Sequence, residues 1–210
     1  VKEMASNRFT ALAGVNTLFN ALLNNPDFKK LDFSELKFAL GGGMAVQQAV
    51  SDRWLQVTGK PIAQAYGLTE TSPAVTINLL DKQEFTGSIG LPVPSTDIVI
   101  RDAGDYRVAP GESGELCIKG PQVTPGYWQQ PEETARAFDA EGYLRTGDIG
   151  TMDEQGYFYI LDRKKDMILV SGFNVYPNEV EAAAAQHPDI IEAAAVGVPD
   201  ARSGEVVKLF

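Results

Sequence analysis

Glu70 closes the run Tyr66-Gly67-Leu68-Thr69-Glu70, where a carboxylate, a hydroxyl, a flat ring and a residue without Cβ share five positions. A glutamate is a hard oxygen ligand of the kind Mg²⁺ takes one or two at a time, completing its shell with phosphate oxygens and water. Thr69 puts a hydroxyl beside it. Tyr66 offers a face on which a planar base can stack, and Gly67 lets a ligand approach the backbone. In Arg145-Thr146-Gly147-Asp148 the ionised Asp148 only accepts hydrogen bonds, so it can take two hydroxyls at once. In Asp162-Arg163-Lys164-Lys165-Asp166, Arg163 carries a rigid fork of donors for the same hydroxyls or for a phosphate. Singly, each residue has an ordinary alternative. Glu70 would be a solvated loop charge, Tyr66 a core residue, and Arg163 half of an ion pair with Asp162 or Asp166. Lys164 reads as a solvated charge.

Further runs stand between and around these three. Residues 142–165 read GYLRTGDIGTMDEQGYFYILDRKK, and Leu40-Gly41-Gly42-Gly43-Met44, Gly87-Ser88-Ile89-Gly90-Leu91-Pro92, GELCIKG at 114–120 and VSGFNVYP at 170–177 complete the set. In this order, over nearly the whole chain, they resemble the AMP-forming acyl-CoA synthetases. The 142–165 run is close to the signature of fatty acyl-CoA synthetases, and the chain is most similar to bacterial long-chain fatty acyl-CoA ligases. Tyr143 and Arg145 stand where that subfamily has Trp and His.

The resemblance implies a two-step reaction in which a carboxylate attacks the α-phosphate of ATP, giving acyl-AMP and pyrophosphate, and the thiol of coenzyme A then displaces AMP. No nucleophilic side chain is needed; catalysis is positioning and charge stabilisation. The resemblance assigns Thr69 to the α-phosphate, Glu70 to Mg²⁺, Tyr66 and Gly67 to adenine, Asp148 to the ribose, and Arg163 to ribose or phosphate. Gly42, Gly43 and Met44 would pack on adenine and leave room for an acyl chain, although three glycines also suit a tight strand-to-helix turn. Lys165 would be the pivot of a mobile C-terminal domain, and Gly172 would leave a path for the pantetheine thiol. The alternatives are a medium-chain or aryl-CoA ligase, an adenylation module that loads a carrier protein, and a nucleotide-binding fragment without chemistry.

These groups have to be held in place by the rest of the chain. Spacing predicts a helix through Val15, Leu18, Phe19, Leu22 and Leu23, a buried strand at 37–40, a second helix from Val46 to Val57 closed by Gly59, and a strand at 62–66. Strand, glycine turn, helix is an α/β signature, and it leaves 67–70 at a strand's C-terminal end, where open α/β sheets bind ligands. After Gly87 come short β segments at 96–101, 115–119 and 157–162, which the resemblance makes a small β-barrel, with a short helix at 131–138 opened by Pro131. Strand 167–170, helix 177–186 and strand 190–198 follow. The expected fold is α/β plus a β-barrel subdomain: an α/β part over 1–86, the β-rich part over 87–162, a hinge at 163–166 and the start of an α+β C-terminal domain over 167–210.

A net charge of −10 and a pI near 4.6 oppose nucleic acid or an anionic membrane surface as the main partner. The single Cys117 excludes an internal disulfide, suits a reducing cytoplasm and reads as a packing residue. The single His187 reads as a helix C-terminal residue. No apolar run has the length of a membrane span; peripheral docking at the inner membrane stays open. Neither the phosphate loop ending in Lys nor the C-terminal lysine of the family occurs in residues 1–210, so the expectation is an inactive fragment of a longer enzyme.

Overall fold

The computed structural model describes residues 1–80, 84–184, 186–187, 189–190 and 193–210. Helix α1 (Lys2–Ser6) leads into a five-stranded sheet, β1 (Ala11–Gly14), β2 (Phe38–Gly41), β3 (Ile62–Gly67), β4 (Ala74–Ile77) and β5 (Leu91–Pro92), in that spatial order. The first three strands run parallel and the last two antiparallel. Parallel neighbours need a crossover, here supplied by α2 (Asn16–Asn24) between β1 and β2 and by α3 (Gln48–Thr58) between β2 and β3. The helical spacing of Phe19 and Leu23 turns both into the core with Phe28, Ala39, Val50, Trp54 and Ile62. Trp54 lies edge-on to Phe19 at 4.9 Å, a pairing worth about 1 kcal/mol beyond its buried area. Gly59 ends α3 as expected, left-handed at φ +70°, with its N–H on the Leu55 carbonyl.

The β-rich part is a four-stranded antiparallel sheet of β6 (Asp97–Arg101), β7 (Gly114–Lys119), β8 (Leu144–Met152) and β9 (Phe158–Arg163), in chain order. Helix α4 (Pro131–Ala137) interrupts it with Pro at its start and Glu132 and Glu133 in its first turn. Among the described residues these four strands form a sheet without a closing pair, so the expected barrel is not shown. β6 pairs with β7 and, at Arg101, bridges Arg107; β9 pairs with β8 and, at Phe158, bridges Gly90 beside the first sheet; Ile100 and Phe158 share a core cluster with Leu116, but among the described residues no ladder joins β6 to β9.

A third sheet has the order β11-β10-β13-β12, from β10 (Ile168–Val170), β11 (Phe173–Val175), β12 (Ala195–Asp200) and β13 (Gly204–Leu209), with α5 (Pro177–Ala184). Ala185, which the sequence put in this helix, and residues 191–192 of the expected 190–198 strand lie outside the described residues; the strand observed starts at Ala195. Among the described residues no helix is long and apolar enough to cross a membrane.

Candidate functional site

The first part of the site is where β3 runs out. Gly67 faces the turn into β4, and a Cβ there would sit 1.6 Å from the Pro73 carbonyl oxygen, so backbone packing alone demands glycine. The register shifts between Tyr66 and Gly67. A short 3-10 turn, Thr69–Thr71, follows and is pinned by the fully buried Thr71, whose hydroxyl accepts the Leu68 N–H at 2.9 Å and donates to the Pro73 carbonyl at 2.6 Å. This leaves Thr69 exposed and Glu70 half-buried. A residue the sequence did not single out holds Glu70: the Tyr127 hydroxyl donates to Oε1 at 2.8 Å, and the Thr124 N–H donates to the Glu70 main-chain carbonyl at 2.7 Å.

The second part joins two runs 82 residues apart, for the Tyr66 hydroxyl donates to Asp148 Oδ2 at 2.6 Å. Arg163 is the cross-strand partner of Asp148, its Nε 3.7 Å from Oδ1. The Thr146 hydroxyl fixes this irregular stretch of β8, accepting the Asp148 N–H at 3.0 Å and donating to the Leu116 carbonyl at 2.8 Å. Burial raises the Asp148 carboxyl above the usual aspartate range, against the opposing pull of the Tyr66 hydrogen bond and Arg163. Burial, and then the Asp148 charge, push the Tyr66 phenol far up, so Tyr66 stays a donor at every working pH. Because Tyr66→Phe keeps the ring and takes a donor from a buried carboxylate, it should weaken nucleotide affinity by about tenfold and lower fold stability by about 1.5–3 kcal/mol. Titration calorimetry beside urea unfolding checks both; unchanged affinity would remove the hydroxyl from the site.

The glycine turn abuts the same place. A Cβ on Gly42 would come within 3.2 Å of the Ala65 carbonyl, next to Tyr66, while Gly43 is left-handed at φ +79°. Side chains from both flanks hold this turn: Asn16 Oδ1 accepts the Gln47 N–H at 3.0 Å and Gln64 Oε1 accepts the Val46 N–H at 3.4 Å. Met44 stays half-exposed. Lys165 is exposed in the turn after Arg163, and Gly172 occupies the β10–β11 turn at φ +84°, with nothing within 4 Å of where a Cβ would be; neither touches the Tyr66–Asp148 pair. Lys164 is exposed, as expected of a solvated charge, but it is also paired: its Nζ lies 3.0 Å from Glu115 and its N–H donates to the Gly147 carbonyl at 2.8 Å. Cys117 is fully buried, and burial lifts its thiol to about 11, which suits packing and not nucleophilic attack. His187 follows α5, its N–H on the Ala184 carbonyl.

The arrangement therefore offers a flat ring beside an acceptor-only carboxylate, a guanidinium across from it, and, in the turn that follows the ring's strand, a second carboxylate next to an exposed hydroxyl residue. These groups suit a base, a diol and a phosphate chain. The chain belongs to the AMP-binding enzyme family: the family's AMP-binding model matches residues 1–128 and its C-terminal domain matches residues 179–210. Among its relatives are long-chain-fatty-acid–CoA ligases of Escherichia coli O157:H7, 58% identical, and of Salmonella typhi, 59% identical, each over 210 residues. Both matches cover 100% of this chain and 37% of the relative, so the chain spans little more than a third of these proteins. The solved structure of ATP-bound MatB from Rhodopseudomonas palustris is similar with a TM-score of 0.89 and 33% identity, over 99% of this chain and 41% of that one.

Proposed function

We propose that these residues are part of an ATP-dependent long-chain fatty acid–CoA ligase that forms acyl-AMP and pyrophosphate, then acyl-CoA and AMP. The observation that carries this reading is the meeting of Tyr66 and Asp148 at 2.6 Å with Arg163 across the ladder, in a chain so similar to long-chain ligases. Adenine stacks on Tyr66 beside Gly42 and Gly43, the ribose hydroxyls donate to Asp148, and Arg163 shares that anchor. The Thr69 hydroxyl meets the α-phosphate as the fatty acid carboxylate attacks it, and the leaving pyrophosphate takes the electron pair. Among the described residues no three His, Cys, Asp or Glu side chains converge as a metal cage, so Mg²⁺ would be held by Glu70 together with phosphate oxygens. When bound, it would neutralise charge on the phosphates.

In this reading residues 1–86 and 87–162 belong to the large domain, 163–166 are the hinge, and 167–210 begin the mobile domain that pivots at Lys165. That motion brings Gly172 and the adjoining turn to the nucleotide, where coenzyme A enters. Val46 and Ile62 wall in Gly41 and the Ala65 carbonyl abuts Gly42, so a long aliphatic acid would pass on the side of Gly43 and the half-exposed Met44. A panel of saturated acids from two to eighteen carbons, offered to the complete protein with ATP and coenzyme A, should give kcat/KM rising with chain length, since each buried methylene adds about 0.8 kcal/mol, or roughly fourfold, until the pocket is filled. Preference for short or aryl acids would replace the substrate class and leave the AMP-forming chemistry.

A further inference from the structure

Glu115 on β7 is a carboxylate buried to 7% exposure that the reading so far does not use. Its Oε1 accepts the Gly147 N–H at 3.0 Å, and its Oε2 meets Lys164 Nζ at 3.0 Å and Arg145 Nη1 at 3.7 Å. A buried carboxylate is tolerable only where its lone pairs are met, so removing a partner costs more than the contact itself supplies. Its partners here have particular neighbours. Gly147, left-handed at φ +74°, immediately precedes Asp148, and Lys164 immediately follows Arg163. Lys164 in turn donates its N–H to the Gly147 carbonyl at 2.8 Å, closing a ring through Glu115, Gly147 and Lys164. Strand pairing of β8 with β9 ends at Asp148 and Arg163, so beyond that point this ring takes over from the ladder. Lys165 is the next residue and is exposed.

Charge supports the same arrangement. Glu115 lies close enough to Asp148 to raise its carboxyl, and Lys164 and Arg145 on Glu115 offset that repulsion, as Arg163 does on Asp148 itself. Arg145 bridges Glu115 to Asp105, 2.7 Å from its Nη2.

We propose that Glu115 is a positioning residue that clamps the irregular stretch of β8 presenting Asp148 to Lys164, so that Lys164 moves with the sheet and turning of the chain starts at Lys165. The inference rests on the reading of Asp148 as the ribose anchor and Lys165 as the pivot. In the complete protein, Glu115→Gln leaves one carbonyl oxygen where two acceptors are needed. Hydrogen exchange followed by mass spectrometry should show residues 144–150 and 160–166 exchanging about tenfold faster together, with α3 unchanged, while KM for ATP rises more than kcat falls. If Glu115→Gln opens the whole fold, Lys164→Met decides: its side chain is 58% exposed, so only a local gain of about threefold in both segments is expected. Exchange unchanged in residues 144–150 in Lys164→Met, or in a folded Glu115→Gln, overturns the clamp. Faster local exchange with unaltered ATP kinetics keeps the clamp and removes Asp148 from ribose binding.

Discussion

Asp148→Ala in the complete protein is expected to slow ATP–pyrophosphate exchange at limiting ATP by about 100-fold. Two hydroxyls would each lose a hydrogen bond to a charged acceptor, at about 1.5–3 kcal/mol apiece, less what water restores. The loss should appear in both half-reactions, because the ribose is held in ATP and in acyl-AMP alike. Asp148→Asn, which keeps one acceptor oxygen, should lie between. Burial works against the Asp148 charge, but its removal leaves the buried Tyr66 hydroxyl without this acceptor, so stability should fall by about 1–3 kcal/mol. Exchange equal to wild type at limiting ATP would remove Asp148 from the nucleotide site.

Lys165→Pro is expected to divide the two half-reactions. Proline fixes φ near −65°, whereas a pivot has to change φ or ψ by a large angle. Lys165 has the setting a pivot requires, exposed and one residue past the tethered Lys164. Adenylation should be largely kept, while transfer of preformed acyl-AMP to coenzyme A falls by on the order of 100-fold, the scale of loss when a reacting group is held out of place. Rapid-quench measurement of each step decides it. Equal losses, or undiminished thioester formation, would make Lys165 an ordinary linker residue.

Helices α2 and α3 were legible because period and terminator agreed: Phe19 and Leu23 recur at helical spacing, and Gly59 stands where α3 needs a left-handed residue, whereas the short α1 was not read. The candidate site was read from residue types kept in order along the chain, and folding brings two of them, Tyr66 and Asp148, together. β8 carried no such signal, since Leu144–Met152 holds two glycines and has adjacent residues buried in place of alternating ones, so the period of a half-exposed strand never appears. Gly67 was read as room for a ligand, and only the Pro73 carbonyl shows that the sheet itself requires it. Lys164 was read as solvated without a partner because Glu115 lies 49 residues away on another strand, a pairing that no local pattern announces. Tyr127 was missed likewise, although an aromatic residue between Gly126 and Trp128 in a loop just before Pro131 was a usable hint. The barrel came from resemblance alone, and the described strands form a sheet without a closing pair.

The most direct test of an AMP-forming ligase is isotope exchange between pyrophosphate and ATP, measured on the complete protein with Mg²⁺ and a long-chain fatty acid but without coenzyme A. Exchange that depends on the fatty acid, with AMP and acyl-CoA released one for one once coenzyme A is added, is the predicted result. Absence of acid-dependent exchange, or release of ADP and phosphate in place of AMP and pyrophosphate, would contradict it.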